Sequence, residues 1–219
     1  MKLSRADLAF AVTEKKSGGT TVAATMMAAA MAGIKVFATG GIGGVHKGAE
    51  TSFDISADLE EFSKSDVIVV CAGAKAILDL EKTFEVLETK GVPVVSFGVD
   101  EIPAFWSRQS GIKSPLRLDS AGRIAAFQQD RSRLGIKGGM LIANPVPEAD
   151  EIPQQEMAQF IERALGEAAD AGVQGKAVTP WLLGRMLEIT DGRSLKTNIA
   201  LVENNARLAA RIAVALTGN

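Results

Sequence analysis

Cysteine and histidine each occur once in this chain of 219 residues, and aromatic side chains make up only 5% of it. A lone cysteine, Cys71, cannot close an intramolecular disulfide. Its apolar setting in DVIVVCAGA marks it as a buried, inert thiol in a reducing compartment, taken here as the cytoplasm. A lone histidine, His46, rules out a Ser-His-Asp triad unless it is itself the base, and no nucleophile-elbow motif accompanies it. No His/Cys ligand set exists for zinc. No apolar run approaches the roughly 20 residues that span a bilayer, and the opening MKLSRADLAF lacks a signal peptide's apolar region, so no membrane partner is expected. The net charge of −2 provides no basic field. With few aromatics to stack on bases, a nucleic acid polymer is not implied, although a single nucleotide is allowed.

What is present is ordinary for a globular protein: 47% apolar and 23% charged residues, with no Pro/Ser-rich or charge-run linker. A single domain over 1–219 is expected. Residues 1–16 read as an unpaired start in which Leu8–Val12 is a strand or a helical turn. The Ser17–Thr21 loop feeds an Ala/Met-rich helix over Val22–Met31 that Gly33 ends. Strands are expected at Ile34–Thr39, Val67–Ala72, Val92–Val99 and Met140–Ala143. Helices are expected from Ser56, from directly after Lys75 to Gly91, and over Ser120–Arg133, Gln154–Ala171, Trp181–Thr190 and Lys196–Ala215. The stretch EIPAFWSRQSGIKSPLRLDS reads as turns, and Lys176–Pro180 as a loop. This alternation predicts an α/β fold, an α/β/α layered sandwich with a largely buried central sheet.

Reactive groups concentrate between Phe37 and Asp58. Two glycine pairs, Gly40-Gly41 and Gly43-Gly44, allow close backbone approach to a ligand, but they lack dinucleotide-fingerprint spacing. Asp54 and Asp58 lie four apart and would share a helical face. They read either as hard oxygen ligands for Mg²⁺ or Mn²⁺, or as a capping pair. The Gly/Thr loop before Val22 reads either as an anion site at a helix N-terminus or as a turn whose hydroxyls cap the helix. Lys75 sits at the carboxyl end of a buried strand, where open α/β sheets place ligands, and reads either as an amine that desolvation would activate or as a surface lysine at a helix start. Lys196 and Asn198 are either pocket contacts or solvated helix residues.

The runs GGTTVAATM at Gly18–Met26, VFATGGIGGVHKGAE at Val36–Glu50, FDISADL at Phe53–Leu59, CAGAK at Cys71–Lys75, ANPVPE at Ala143–Glu148, TPWLL at Thr179–Leu183 and SLKTNIALV at Ser194–Val202 together resemble the pseudouridine-5′-phosphate glycosidases, also called indigoidine synthase A-like proteins. The resemblance spans essentially the whole chain. It implies reversible cleavage of the C–C glycosidic bond of pseudouridine 5′-phosphate to uracil and ribose 5-phosphate, in a homotrimer with one largely water-coordinated Mn²⁺. By the same resemblance Lys75 is the Schiff-base nucleophile and Asp54 the metal ligand. Lys2, Thr21, Val22, His46, Ser56, Ala57, Asp58 and Asn198 become substrate contacts. The family also carries a segment ahead of the position of Lys2, with a glutamate that donates a proton. The expectation is therefore a chain truncated at its N-terminus, with a catalytically impaired or non-catalytic phosphosugar-binding domain as the alternative. Glu50 and Asp58 are the carboxylates near enough to stand in for the acid.

Overall fold

The computed structural model describes residues 1–173 and 178–218. Its first residues are paired: β1 (Lys2–Leu3) lies parallel to β2 (Gly19–Thr20), and α1 (Arg5–Thr13) spans the distance between them. The expected loose start is thereby corrected, and the reason is tertiary. Arg5 sends Nε and Nη2 to the two carboxylate oxygens of Glu61, at 2.6 and 2.7 Å, while the Ser4 N–H donates to the Asp7 carboxylate at 2.9 Å across the first turn of α1.

Helix α2 (Val22–Met31) begins where expected, with Thr21 Oγ1 accepting the Ala24 N–H, and Gly33 ends it in the left-handed region at φ +74°. There follow β3 (Val36–Ala38), the short α3 (Ala49–Ser52), α4 (Ala57–Phe62), β4 (Ile68–Cys71), α5 (Leu80–Thr89) and β5 (Val94–Phe97). The chain continues through β6 (Leu116–Leu118), α6 (Ala121–Arg133), β7 (Met140–Ala143), α7 (Gln154–Asp170), α8 (Val178–Ile189) and α9 (Arg193–Leu216). The main sheet is parallel throughout, in the order β3-β4-β7-β5-β6.

Period-two alternation along the strands sorts the core into two layers. Val69, Cys71, Leu141 and Ala143 pack with Met26, Leu59, Phe62 and Leu87 on one face. Ile68, Val70, Met140 and Ile142 pack with Ile124, Leu208 and Ile212, from α6 and α9, on the other. Every residue of β4 and β7 is buried, so the α/β/α sandwich with a buried central sheet is what forms. Burial pushes the Cys71 thiol up to about 12, leaving it protonated and inert.

Three boundaries differ from expectation. β6 lies in a stretch read as turns: it is an edge strand of three residues, and its Leu116 and Arg117 are exposed, so no apolar run announces it. Lys176 of the expected Lys176–Pro180 loop lies outside the described residues, whereas Val178 to Pro180 form the first turn of α8, where proline is tolerated. α9 starts at Arg193, one turn before Lys196. Among the described residues no helix is long and apolar enough to cross a membrane.

The Arg5–Glu61 contact gives the fold a pH dependence. Burial raises the Glu61 carboxyl, but hydrogen bonds from Arg5 and Ser65 outweigh it and hold the group below its ordinary range. A depressed folded-state pKa contributes stability that is present above the unfolded value and lost as pH falls through the folded one. Glu61→Gln should therefore be less stable than wild type at about pH 7, with the gap narrowing at about pH 3. Urea melts at the two pH values check this, and an unchanged gap would remove the ion pair as its cause.

Candidate active site

A cavity of about 760 Å³ opens beyond the carboxyl ends of β3 and β4. All ten residues to which the family resemblance gives a site role line it: Lys75, Asp54, Lys2, Thr21, Val22, His46, Ser56, Ala57, Asp58 and Asn198.

Two chain segments leaving neighbouring strands run side by side to make its floor. After β3 the chain turns through the glycines, and after β4 it runs through Gly73 and Ala74 to Lys75. The Ile42 N–H donates to Gly73 O at 3.1 Å and the Lys75 N–H to Ile42 O at 3.1 Å, which extends the parallel ladder past the strands. Glycine is required at Gly73, whose φ is +90° and where an added Cβ would sit 2.3 Å from Pro103 O. It is required again at Gly43, where a Cβ would lie 2.3 Å from Ser56 Oγ and 2.8 Å from Asp58 Oδ2.

Lys75 projects from this floor, and burial lowers the pKa of its amine. Lys2 adds a smaller push in the same direction, while Asp58 opposes it. The neutral, nucleophilic form is thus favoured relative to an exposed lysine. Lys75 does not open a helix, contrary to the sequence reading. Residues 75–79 form a turn closed by the Leu78 N–H on Lys75 O at 3.0 Å, and Asp79 caps α5 by accepting the Lys82 N–H at 3.1 Å.

The two aspartates do not share a helical face. Asp54 precedes α4, in a segment whose Ile55 pairs antiparallel with Val45, and the His46 N–H donates to Asp54 O at 3.0 Å. His46 and Asp54 are neighbours on that small ladder. Asp58, in the first turn of α4, is only 4% exposed and spends both oxygens on backbone: Oδ1 accepts the Ala23 N–H and Oδ2 the Gly43 N–H, each at 2.8 Å. Between the two readings of the loop before α2, the structure favours the cap. The Ala23 and Ala24 amides already have partners in Asp58 and Thr21, so the helix terminus offers an anion little beyond Val22. Ser56 caps α4, accepting the Asp58 N–H at 3.2 Å.

The remaining wall is α9. Asn198 faces the cavity beside Leu201 and Val202, and its buried Oδ1 has no partner among the described residues. Lys196 is exposed and does not line this cavity. Glu50 is likewise outside the cavity and pairs with Lys82, so it is no substitute acid. Sequence reasoning missed Ser4, Asp7 and Phe105. The first two reach the wall only because β1 pairs with β2. Phe105 adopts φ +63°, unusual for a bulky residue, and no residue pattern signals it.

Among the described residues no three His, Cys, Asp or Glu side chains cluster as a metal site. The Asp54 carboxylate lines the cavity with no hydrogen bond or ion pair among the described residues, so one hard oxygen ligand is available there. That donor set fits an Mg²⁺- or Mn²⁺-like ion held chiefly by water.

The family model described as indigoidine synthase A like protein matches residues 1–215. Three curated relatives carry the name pseudouridine-5′-phosphate glycosidase. That of Mesorhizobium japonicum is 68% identical over 216 residues, covering 99% of this chain and 71% of its own. That of Solibacter usitatus is 63% identical, with 99% and 72% covered. The Rhizobium johnstonii relative, numbered 1, is 71% identical, with 99% and 68% covered. Among solved structures, the prealnumycin C-glycosynthase AlnA in complex with ribulose 5-phosphate superposes with a TM-score of 0.92 at 35% identity, over 99% of this chain and 72% of its own. An indigoidine synthase A-like protein from Thermotoga maritima gives 0.90 at 40% identity, over 99% and 71%.

The contact at Gly43 can be tested directly. Gly43→Ala forces Ser56 and Asp58 apart and should cost about 1–3 kcal/mol of stability. Gly19→Ala, where an added Cβ meets nothing, should change it by less than about 0.5 kcal/mol. Equal urea midpoints for the two variants would count against the close packing described.

Proposed function

The chain belongs to the indigoidine synthase A like protein family, and we propose on that premise that it is a pseudouridine-5′-phosphate glycosidase, converting pseudouridine 5′-phosphate reversibly to uracil and ribose 5-phosphate. One observation carries the reading: residues from motifs spread between Lys2 and Asn198 line a single cavity around one amine whose pKa burial lowers. The curated relatives named for this activity, at 63–71% identity, support it. So does the ribulose 5-phosphate bound by AlnA, a phosphosugar in a structure of the same fold.

In this reading Lys75 Nζ bonds to C1′ as the C1′–O4′ bond breaks and opens the ribose, the electron pair leaving on O4′, which takes a proton. The C1′–C5 bond then breaks, its electron pair leaves onto the uracil ring, and that carbon takes a proton. C1′ remains as an imine on Lys75, which water hydrolyses to ribose 5-phosphate and free amine. A carbon leaving group has no oxygen to protonate, so the Lys75 nitrogen drives the cleavage: its lone pair becomes the C=N bond of the imine as the C1′–C5 pair passes to the ring. The reading gives Lys2, Thr21 and Val22 to the phosphate, and His46, Ser56, Ala57, Asp58 and Asn198 to the sugar and base; that all of them line one cavity supports it. Asp54 would hold Mn²⁺, which when bound supplies positive charge to substrate oxygens. We further place the protein in the cytoplasm, where Cys71 stays reduced. A homotrimer is the proposed assembly, favoured by the exposed Leu195 and Ile199 on α9.

Ribose 5-phosphate with cyanoborohydride should add one pentose phosphate to the chain, and peptide mapping should locate it on Lys75. An adduct elsewhere, or none, would sink the assignment. Lys75→Ala should lower uracil release by at least about 1,000-fold. Only the neutral amine attacks, and its pKa is lowered, so trapping should rise with pH and level off below the range of an ordinary lysine, about 10.4.

Asp54 predicts a separate result. Chelator-treated wild type should regain activity with Mn²⁺, and calorimetry should register binding of the ion. Asp54→Asn should show neither effect, and undiminished Mn²⁺ binding in that variant would move the ion elsewhere.

A further inference from the structure

The last helix contributes a wall of the cavity, and its position over the sheet depends on a pair of buried amides outside that wall. Asn205 is 0% exposed and Asn144, just beyond β7, is 4% exposed. Asn205 Nδ2 donates to Thr39 O at 2.9 Å, and Asn144 Nδ2 donates to Asn205 Oδ1 at 3.0 Å. Thr39 is the residue between β3 and Gly40, and it lines the cavity. β4 lies between β3 and β7, so the two bonds reach from the end of one strand, over its neighbour, to the end of the next.

The orientation of the Asn205 amide is dictated by chemistry. A backbone carbonyl only accepts, so Asn205 must turn its NH₂ toward Thr39, which leaves its oxygen for Asn144. Next to this bridge, Asn204 Nδ2 donates to Pro145 O at 3.0 Å, tying α9 a second time to the segment after β7. Asn198 lies seven residues before Asn205, two turns along the same helical face at about 10 Å. Between them, a Cβ at Gly40 would lie 3.4 Å from Val202 Cγ2 and 3.5 Å from Leu201 Cδ1, so the helix seats directly on the glycine segment. Among the described residues, Asn198 Oδ1 is one of two buried side-chain polar atoms without a partner, the other being Ser96 Oγ. An unpaired buried acceptor beside a ligand cavity is of use only if its position is held.

We propose that Asn205 is a positioning residue for the reaction: through Thr39 and Asn144 it sets the depth and rotation of α9 over the glycine segment, and so places the Asn198 amide against the substrate. The proposal rests on the glycosidase reading above. It differs from a purely structural role in one respect, that the effect of Asn205 on catalysis is transmitted through Asn198.

Asn205→Asp is the direct probe, because it keeps the shape and the acceptor for Asn144 but replaces the donor to Thr39 O with a carboxylate oxygen. In the wild-type background it should lower kcat/KM for uracil release on the order of 100-fold. In an Asn198→Ala background the same change should cost less than about threefold, because the group it positions is gone. Equal losses in both backgrounds, or retained activity in folded Asn205→Asp, would overturn the proposal. Should Asn205→Asp not fold, Asn144→Ala removes the other anchor while sparing the Thr39 bond, and the same non-additivity with Asn198→Ala is required of it. If the wild-type chain releases no uracil, the glycosidase reading fails by itself. The same four-variant comparison is then made on ribose 5-phosphate affinity by calorimetry, where additive losses overturn the positioning role.

Discussion

One carboxylate ties the site together. Asp58 sits in the first turn of α4, yet its oxygens accept an amide from the start of α2 and another from the glycine segment after β3. Three pieces of chain that enter the cavity from different directions are thereby fixed around one buried charge. An ionised carboxylate accepting two backbone hydrogen bonds is well satisfied, and removal of either donor would leave a buried charge short of partners. Asp58 also faces Lys75, where it opposes the effect of burial on the amine. The group that organises the walls is therefore one of those that set the nucleophile's protonation.

That balance explains why the site needs charges of both signs at close quarters. Burial and Lys2 favour a neutral Lys75, the form that would attack in the proposed reaction, while Asp58 favours the cation, which the proposed imine stage would require. A cavity containing only lysines would keep the amine neutral but could not stabilise a protonated imine. With carboxylates alone the amine would stay protonated and unreactive.

Much of this was legible in the residues themselves. β4 and β7 could be read because strands buried on both faces lose the polar alternation of a solvated sheet, and α2 because Thr21 and Gly33 bracket an Ala/Met run. The ten site residues were legible through family likeness, and spacing alone had left most of them ambiguous. What stayed hidden depends on partners far along the chain. Asp58 looked like half of a helical pair with Asp54, because its real partners stand 35 and 15 residues away. α1 was obscured by its polar first turn, whose Arg5 finds Glu61 56 residues later. β6 is an exposed edge of three residues, and the turn after Lys75 was mistaken for helix because Leu78 and Leu80 continue an apolar pattern. The Asn205 bridge gave no local signal, since its meaning lies in which carbonyl it meets.

The strand order has a consequence for how the chain is made. β7 occupies the middle of the sheet, between β4 and β5, yet it is the last of the five strands in sequence. Until Met140–Ala143 has left the ribosome, β3 with β4 and β5 with β6 are at most two separate ribbons, each with one raw edge, and the α9 residues Leu208 and Ile212 are not yet there to complete the second face. Those edges are the ones an adjacent nascent chain would find. Synthesis of the final third both closes the sheet and supplies α9, so assembly of the cavity and protection of the core occur in the same late step.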